Sequence, residues 1–278
     1  MKLFNKKIIF NSFLYLLLLI MSLVAIFPLI WIVITSIRPS GDMASNPLSL
    51  IPRSITFDYY RQVLFELNFI RNIRNSLFIS LVSTVITVII SSLGAYGIVR
   101  FFPNIGKKMT RLLIITYMFP SVLLAIPYIT VMAKMGLINT WSSVVITYLS
   151  FSIPYAIWML IGFFQTVPIG IEEAAIVDGV GKFGIFFKIT VPIVMPGIVS
   201  TAIYTFINTW NEFLYALLLI NTSEKMPLSI ALYSLTGSEI LDWGQMMAAS
   251  VIVILPSIIF FMIIQKKIVG GLSEGAVK

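Results

Sequence analysis

Residues 172–196 read EEAAIVDGVGKFGIFFKITVPIVMP, in which helix-forming residues lead into a glycine turn and then into a long apolar run. The G-x-G-x-x-G spacing is that of a dinucleotide-binding loop, but such a loop needs a strand before the first glycine. Here helix formers precede Gly179, which fits the left-handed position that ends a helix. A phosphate-binding loop is excluded as well, because Phe183 follows the lysine where Ser or Thr is required.

The residues around the glycines predict two short helices. The first is expected over 168–178, which opens with a proline and carries two glutamates near its positive end. The second is expected over 182–191, where Phe183, Phe186 and Phe187 share one apolar face at i, i+3, i+4. That face either packs beneath the spans of this chain or docks into the groove of a partner protein.

The composition is strongly apolar. Of 278 residues, 59% are hydrophobic and 11% are charged, and the mean hydropathy is +1.00. Soluble domains carry about 25% charged residues, so lipid must solvate most of this chain. Histidine and cysteine are absent, which excludes disulfides, thiol nucleophiles and histidine-based triads, and we assign no catalytic residue and no metal site. The net charge of +8 is spread between apolar blocks, which favours lipid headgroups over nucleic acid as its partner.

Six stretches reach the roughly 20 apolar residues that a spanning helix needs. The first is interpreted as a retained helix, because its apolar core is too long for a signal peptide. With the N-terminus inside, twelve of the 19 Lys and Arg residues are cytoplasmic, which predicts that both termini are cytoplasmic. The fold class is therefore an all-α integral membrane protein, one transmembrane domain over 1–278. Its spans are expected at about 8–37, 75–99, 112–133, 142–164, 193–219 and 244–265, with a cytoplasmic loop at 165–192 and a tail at 266–278.

The fifth stretch carries polar side chains at membrane depth, namely Asn208, Asn211, Glu212 and Tyr215. A carboxylate in hydrocarbon is costly and normally faces a polar cavity or a partner. The two amides and the tyrosine fall on one helix face, and such groups suit sugar hydroxyls and the apolar faces of sugar rings. These residues either line a substrate path or hold neighbouring helices together.

The stretch quoted first resembles the EAA loop of the membrane subunits of bacterial ABC importers. Residues 173–175 match its name motif, residues 178–179 match the turn that follows, and Pro192 and Pro196 match the prolines that open the next span. The resemblance implies a type I importer permease fold, in which residues 165–192 form a coupling helix seated in a cleft of a cytoplasmic ATPase. The residues it implies in coupling are Glu172, Glu173, Ala174, Ala175, Asp178, Gly179, Phe183, Phe186, Phe187 and Pro192.

Two further segments resemble carbohydrate-importer permeases of the maltose-system type. INTWNEFLYALLL at 207–219 is similar to their fifth span, and QKKIVGGLSEGAVK at 265–278 is similar to the tail of the second permease subunit. In relatives this tail reaches between the ATPase subunits. By resemblance, the outer loop 221–243 should face an extracytoplasmic sugar-binding protein. The tail residues implied in ATPase contact are Gly271, Leu272, Gly275 and Ala276.

The resemblance implies half of the pore of an ATP-driven importer in a bacterial or archaeal cell membrane, moving a sugar, such as an α-glucoside oligosaccharide, by alternating access. The expected partners are a homologous second permease, two ATPase subunits that carry ATP and magnesium, and a sugar-binding protein. No cofactor is expected on this chain. The alternatives are an importer for glycerol phosphate or another polar solute, and an ATPase-independent secondary transporter. Against the latter, no ladder of membrane-embedded acids marks an ion path.

Overall fold

The computed structural model describes residues 2–47, 49–237 and 242–275, with the backbone alone for 2–9, 104–105, 107 and 264–275. Every regular element in these ranges is helical, which confirms the all-α prediction. A bent pair of shorter helices adds a sixth candidate span to five continuous ones. The five helices that are long and apolar enough to cross a membrane are Phe10–Ser36, Phe69–Phe101, Trp141–Gln165, Lys182–Asn211 and Trp243–Ile263.

The described chain divides into two compact units. The first combines Met1–Phe69 with Leu232–Leu255, and the second combines Ile70–Ala231 with Pro256–Lys278. Short π and 3-10 turns connect several of the helices. In chain order the α-helices are α1 Lys2–Ser36, α2 Ser40–Ser45, α3 Asp58–Arg61, α4 Phe69–Phe101, α5 Pro103–Met118, α6 Ala125–Lys134, α7 Trp141–Gln165, α8 Ile169–Val177, α9 Lys182–Gly184, α10 Val191–Asn211, α11 Leu214–Leu219, α12 Leu228–Ser234 and α13 Trp243–Gly275.

A buried arginine organises the first unit just after α1. Arg38 Nε donates to the carboxylate of Asp42 at 3.0 Å, and its two Nη atoms donate to the carbonyls of Ser49 at 2.6 Å and Asn46 at 2.8 Å. The side chain is 1% exposed, so its donors need such partners. The hydrogen bond from Arg38 holds the pKa of the Asp42 carboxyl below its usual range. The polar stretch after the first span is thereby tied to the end of the helix.

The second unit is built around α7, which packs against α5, α10 and α11. Its side chains Tyr148, Leu160 and Phe164 are 0–1% exposed. Gly197 of α10 lies against the ring of Phe163, at a place where a Cβ atom would collide with the ring. A residue without a side chain therefore allows α7 and α10 to approach closely, as small residues commonly do between membrane helices.

The third predicted stretch, 112–133, is broken in two. α5 ends at Met118 and α6 begins at Ala125, and the two parts are bent by 84°. Pro120 lacks an amide hydrogen and keeps the residue before it out of the helical conformation. Phe119 is accordingly extended, at φ −67° and ψ 128°. A broken span or a re-entrant segment takes the place of the single helix.

The fifth predicted stretch, 193–219, differs at both ends. A π turn over Ile185–Thr190 joins α9 to α10, so the apolar helix begins at Lys182 and runs for 30 residues. The helix ends where Glu212 is extended, at φ −66° and ψ 134°, and α11 follows that break. The expectation of a separate short helix over 182–191 was therefore wrong, because these residues are the first turns of the span itself.

Candidate functional site

The lever segment, residues 165–192, begins at the end of α7 and contains α8, the glycine turn and the first turns of the helix that becomes α10. α8 covers Ile169–Val177, close to the helix predicted over 168–178. Pro168 precedes its first residue, in extended conformation. The sequence prediction of a short helix before the glycines is confirmed.

The end of α8 is a complete C-cap. The amide of Gly179 donates to the carbonyl of Ile176 at 3.0 Å, and the amide of Val180 donates to the carbonyl of Ala175 at 2.9 Å. These are the two hydrogen bonds of the Schellman motif. Gly179 has φ +80°, a left-handed conformation that costs about 1–2 kcal/mol for a residue with a Cβ. The predicted helix stop at this glycine is confirmed.

Glu172 is the polar centre of the lever segment. Its Oε1 accepts from Arg100 Nε at 2.9 Å and from the Thr190 hydroxyl at 3.1 Å, and its Oε2 accepts from the Tyr96 hydroxyl at 3.1 Å. Arg100 also donates through Nη2 to the carbonyl of Val167 at 2.8 Å. The side chains of Arg100 and Glu172 are 10% and 8% exposed. One buried network thus joins α4, α8 and the π turn that leads into α10.

This network separates the two adjacent glutamates. Glu172, which the resemblance implies in ATPase coupling, is buried with its partners inside this chain, whereas Glu173 is exposed. Removing one member of a buried ion pair costs about 3–5 kcal/mol, because the other charge is left without a partner. The structure therefore gives Glu172 an internal role in fixing α8, and it leaves Glu173 available to another protein.

The three phenylalanines do not share one face. Phe186 is 5% exposed, and its ring packs against Tyr96 at 5.0 Å and Phe164 at 6.4 Å between centroids. Phe183 and Phe187 are 79% and 60% exposed. The expectation of a single apolar face was wrong, because a π turn begins at Ile185 and the α-helical spacing rule does not apply across it. Phe186 packs beneath the spans, and the other two rings remain available for docking.

The exposed side of the lever segment combines acidic and apolar groups. Ile176 and Val177 are 60% and 86% exposed, and the neighbouring Glu173 and Asp178 are exposed as well. These exposed side chains are accessible to another protein, and their predicted contact with an ATPase stays a prediction. Of the other residues predicted for coupling, Ala174, Gly179 and Pro192 are exposed and Ala175 is buried.

A cavity of about 290 Å³ lies at the break in the fifth predicted stretch. Asn208, Glu212 and Tyr215 line it, so the structure brings together three of the four predicted path residues. Asn211 is not among the lining residues, and its amide donates to the Ser257 hydroxyl at 3.2 Å. The cavity walls also include aromatic rings, and its described lining contains no lysine or arginine. Within the described residues, no group of three or more acids could hold a metal ion.

The Glu212 carboxylate is engaged with the backbone. It accepts hydrogen bonds from the amide of Tyr215 at 2.9 Å and from the amide of Ala216 at 3.2 Å. These amides belong to the first turn of α11, which has no earlier carbonyls to accept from them, so Glu212 caps that helix. The Tyr215 hydroxyl donates to the carbonyl of Ser121 at 2.6 Å, and it links the break in the fifth stretch to the break in the third. The hydrogen bonds support the interpretation that these residues hold neighbouring helices together, and their role in a substrate path stays a prediction.

A stack of tyrosines beside this cavity escaped the sequence analysis. The rings of Tyr155 and Tyr204 stack at 4.2 Å, and Tyr117 lies 4.9 Å from Tyr155. The hydroxyls of Tyr117 and Tyr204 are 3.0 Å apart. The three rings come from α5, α7 and α10, so no local spacing brings them together. The one feature of the sequence that could have indicated this stack is Tyr204, which lies four residues before Asn208 and therefore one helical turn away from it.

The outer loop 221–243 is anchored at its start by asparagines of α4. The side-chain amides of Asn72 and Asn75 donate to the carbonyl of Met226 at 2.8 and 3.0 Å. Residues 238–241 lie outside the described residues, so the predicted contact of this loop with a binding protein stays a prediction.

The tail residues predicted to contact ATPase subunits are described only in part. Gly271, Leu272 and Gly275 lie within α13, and Ala276 lies outside the described residues. Their predicted contacts stay predictions.

A multi-span helical chain has the features of a membrane transport subunit when it carries a cavity lined by aromatic and polar side chains and a firmly anchored segment with an exposed mixed surface. The family model "Binding-protein-dependent transport system inner membrane component" matches residues 88–273, and the chain belongs to this family. It is an ABC transporter permease, a transport subunit and a multi-pass protein of the cell membrane.

Similar proteins extend over nearly the whole chain. It is 36% identical to the trehalose transport system permease protein SugB of Mycobacterium tuberculosis, over 91% of this chain and 93% of that protein. It is 32% identical to the trehalose/maltose transport system permease protein MalG of Thermococcus litoralis, over 94% of each chain. A chain in the crystal structure of a bacterial ABC transporter involved in alginate import has the same fold, with a TM-score of 0.82 and 24% identity over 93% of this chain and 96% of that one.

The C-cap of α8 yields a prediction that compares two glycines. Gly179→Ala should speed hydrogen exchange of the amides at 178–180 by about 5- to 30-fold, because the left-handed conformation costs about 1–2 kcal/mol with a Cβ. Gly181→Ala is the control, since Gly181 has φ −67° and both glycines have open space where a Cβ would go. Exchange measured by mass spectrometry on the purified chain tests this. Equal effects of the two substitutions would contradict the assignment.

Proposed function

We propose that this chain forms half of the translocation pathway of an ATP-driven sugar importer that works by alternating access. Its partners are a homologous second permease, two cytoplasmic ATPase subunits that carry the ATP and magnesium, and an extracytoplasmic sugar-binding protein. Membership in a family of binding-protein-dependent systems supports the last of these. In the proposed orientation both termini and the lever segment are cytoplasmic, and the outer loop 221–243 faces the binding protein.

The observation that carries the coupling role is the contrast between the two sides of α8. One side exposes Glu173, Ile176 and Val177, and the opposite side is fixed by the buried pair of Glu172 and Arg100. A surface that receives force from an ATPase must be accessible to it and firmly attached to the spans behind it. α8 meets both requirements.

Motion of the lever segment has a direct route to the cavity. Lys182–Asn211 is one apolar helix of 30 residues, which at 1.5 Å per residue is about 45 Å long. Thr190, near its start, donates to Glu172, and Asn208, near its end, lines the cavity. We infer that closure of the ATPases displaces α8 and tilts this helix, so that the cavity opens outward to receive the sugar. Hydrolysis then resets it.

The cavity favours a neutral sugar over glycerol phosphate. Its lining combines the rings of Tyr117, Tyr128 and Phe151 with the amide of Asn208. Such rings suit the apolar faces of sugars, whereas a phosphate would need cations, which the described lining lacks. The similar permeases of trehalose and trehalose/maltose systems point to an oligosaccharide such as an α-glucoside.

Charge reversal tests the coupling role. Glu173→Lys should abolish sugar-stimulated ATP hydrolysis by the intact complex in proteoliposomes, because the reversed charge opposes a basic residue in the ATPase cleft. Glu66→Lys, the same reversal at an exposed acid outside the lever segment, should leave the stimulation unchanged. Normal coupling in the Glu173 variant would rule out this surface as the ATPase contact.

A pair of asparagines tests the sugar assignment. Asn208→Ala should raise the KM for uptake of labelled trehalose or maltose by about 2- to 10-fold, the effect of one lost hydrogen bond of about 0.5–1.5 kcal/mol. Asn211→Ala is the control, because both amides are exposed and donate to a backbone carbonyl four residues earlier, but only Asn208 lines the cavity. The assignment fails if the two variants behave alike, or if labelled glycerol phosphate is taken up and these sugars are not.

A further inference from the structure

A second and larger cavity, of about 930 Å³, lies at the base of the lever segment. We call it the basal cavity. It is formed where α4 ends, α5 begins and α7 ends, and its lining includes Arg100, Thr110, Trp158, Gly162 and Gln165. None of these residues belongs to the cavity at Asn208, so the proposed sugar path does not account for it.

Arg100 gives the basal cavity a cation. Its side chain is 10% exposed, its Nε and Nη2 donate to Glu172 and Val167, and its Nη1 has no partner among the described residues. Nη1 is thus available to donate to a ligand in the cavity, and a guanidinium is well suited to phosphate and carboxylate oxygens. Because Glu172 already neutralises part of the positive charge of Arg100, a singly charged anion is sufficient as the further acceptor.

The surroundings of Arg100 favour an anion. The described residues that line the basal cavity include no aspartate or glutamate. α5, which forms one wall, carries the exposed Lys108 and Arg111 in its first three turns. Basic side chains at the cytoplasmic end of a membrane helix attract anionic lipids.

Much of the remaining wall is apolar, and part of it belongs to the spanning helices α4 and α7. Ile98, Met159, Ile161 and Trp158 line the basal cavity, and Trp158 is 43% exposed. Trp side chains commonly lie at the boundary between headgroups and hydrocarbon. A ligand that fits must therefore place an anion at Arg100 and hydrocarbon along α4 and α7.

We propose that the basal cavity binds an anionic phospholipid of the cytoplasmic leaflet, with its phosphodiester at Arg100 Nη1 and its acyl chains along the apolar walls. The phosphate oxygen supplies the acceptor that Nη1 lacks. The same guanidinium then joins the lipid headgroup to Glu172, so occupancy of the site reinforces the attachment of α8. This inference rests on the proposed orientation of the chain but not on the sugar assignment.

Quenching of Trp158 tests the proposal directly. The full chain is reconstituted in phosphatidylcholine vesicles, and phosphatidylglycerol with brominated acyl chains is titrated in. Brominated phosphatidylcholine is the lipid control, and the Trp158→Phe protein gives the signal of the other tryptophans for subtraction. We expect the Trp158 signal to be quenched with about fivefold preference for phosphatidylglycerol, the equivalent of about 1 kcal/mol from one basic side chain.

Filling the basal cavity should abolish this preference. Gly162→Leu places a side chain in the cavity, where a Cβ has no neighbour within 4 Å, and Gly97→Leu is the matched control on α4, equally open and outside the lining. Gln165→Phe, at an exposed position of the lining, fills the cavity independently if Gly162→Leu does not fold. Equal quenching by the two lipids would overturn the proposal. So would a preference that survives the filling substitutions, or one that the Gly97 variant also loses.

Discussion

The buried ion pair between Arg100 and Glu172 is the interaction on which the rest of the second unit depends. α8 has nine residues, too few for a helix that is stable by itself. The network of Arg100, Tyr96 and Thr190 around the Glu172 carboxylate fixes it to α4 and to the helix that becomes α10. Because the Glu172 side of α8 is held by hydrogen bonds within the chain, the opposite side of α8 can remain exposed to a partner while the helix keeps its position.

The same constraint connects the two ends of the proposed transport pathway. The helix that starts at Lys182 continues without a break to Asn211. A π turn over Ile185–Thr190 connects its first turn to α10. At its far end Glu212 caps α11, so the interruption that forms the cavity has its own fixed geometry. In the proposed mechanism, a displacement received by α8 is therefore delivered to a defined site, rather than lost in a flexible connection.

Local patterns predicted the parts of the site that local chemistry determines. Gly179 ends α8 because a residue in the left-handed conformation is needed there, and this requirement can be recognised from one short stretch of sequence. The burial of Phe186 and Glu172 could not be predicted from the local sequence. It depends on a π turn and on contacts with Tyr96 and Arg100, which lie over 70 residues earlier in the chain. The tyrosine stack escaped prediction for the same reason, since its rings come from three different helices.

The absence of cysteine allows the central claim to be tested with two introduced spin labels, at Leu93 of α4 and Val177 of α8, both exposed. The measurement is the distance distribution by pulsed electron paramagnetic resonance. A rigid attachment predicts one narrow distribution that broadens in Glu172→Ala and stays narrow in Glu173→Ala. If Glu172→Ala leaves the distribution as narrow as in the parent, the buried pair does not fix α8, and the account is contradicted.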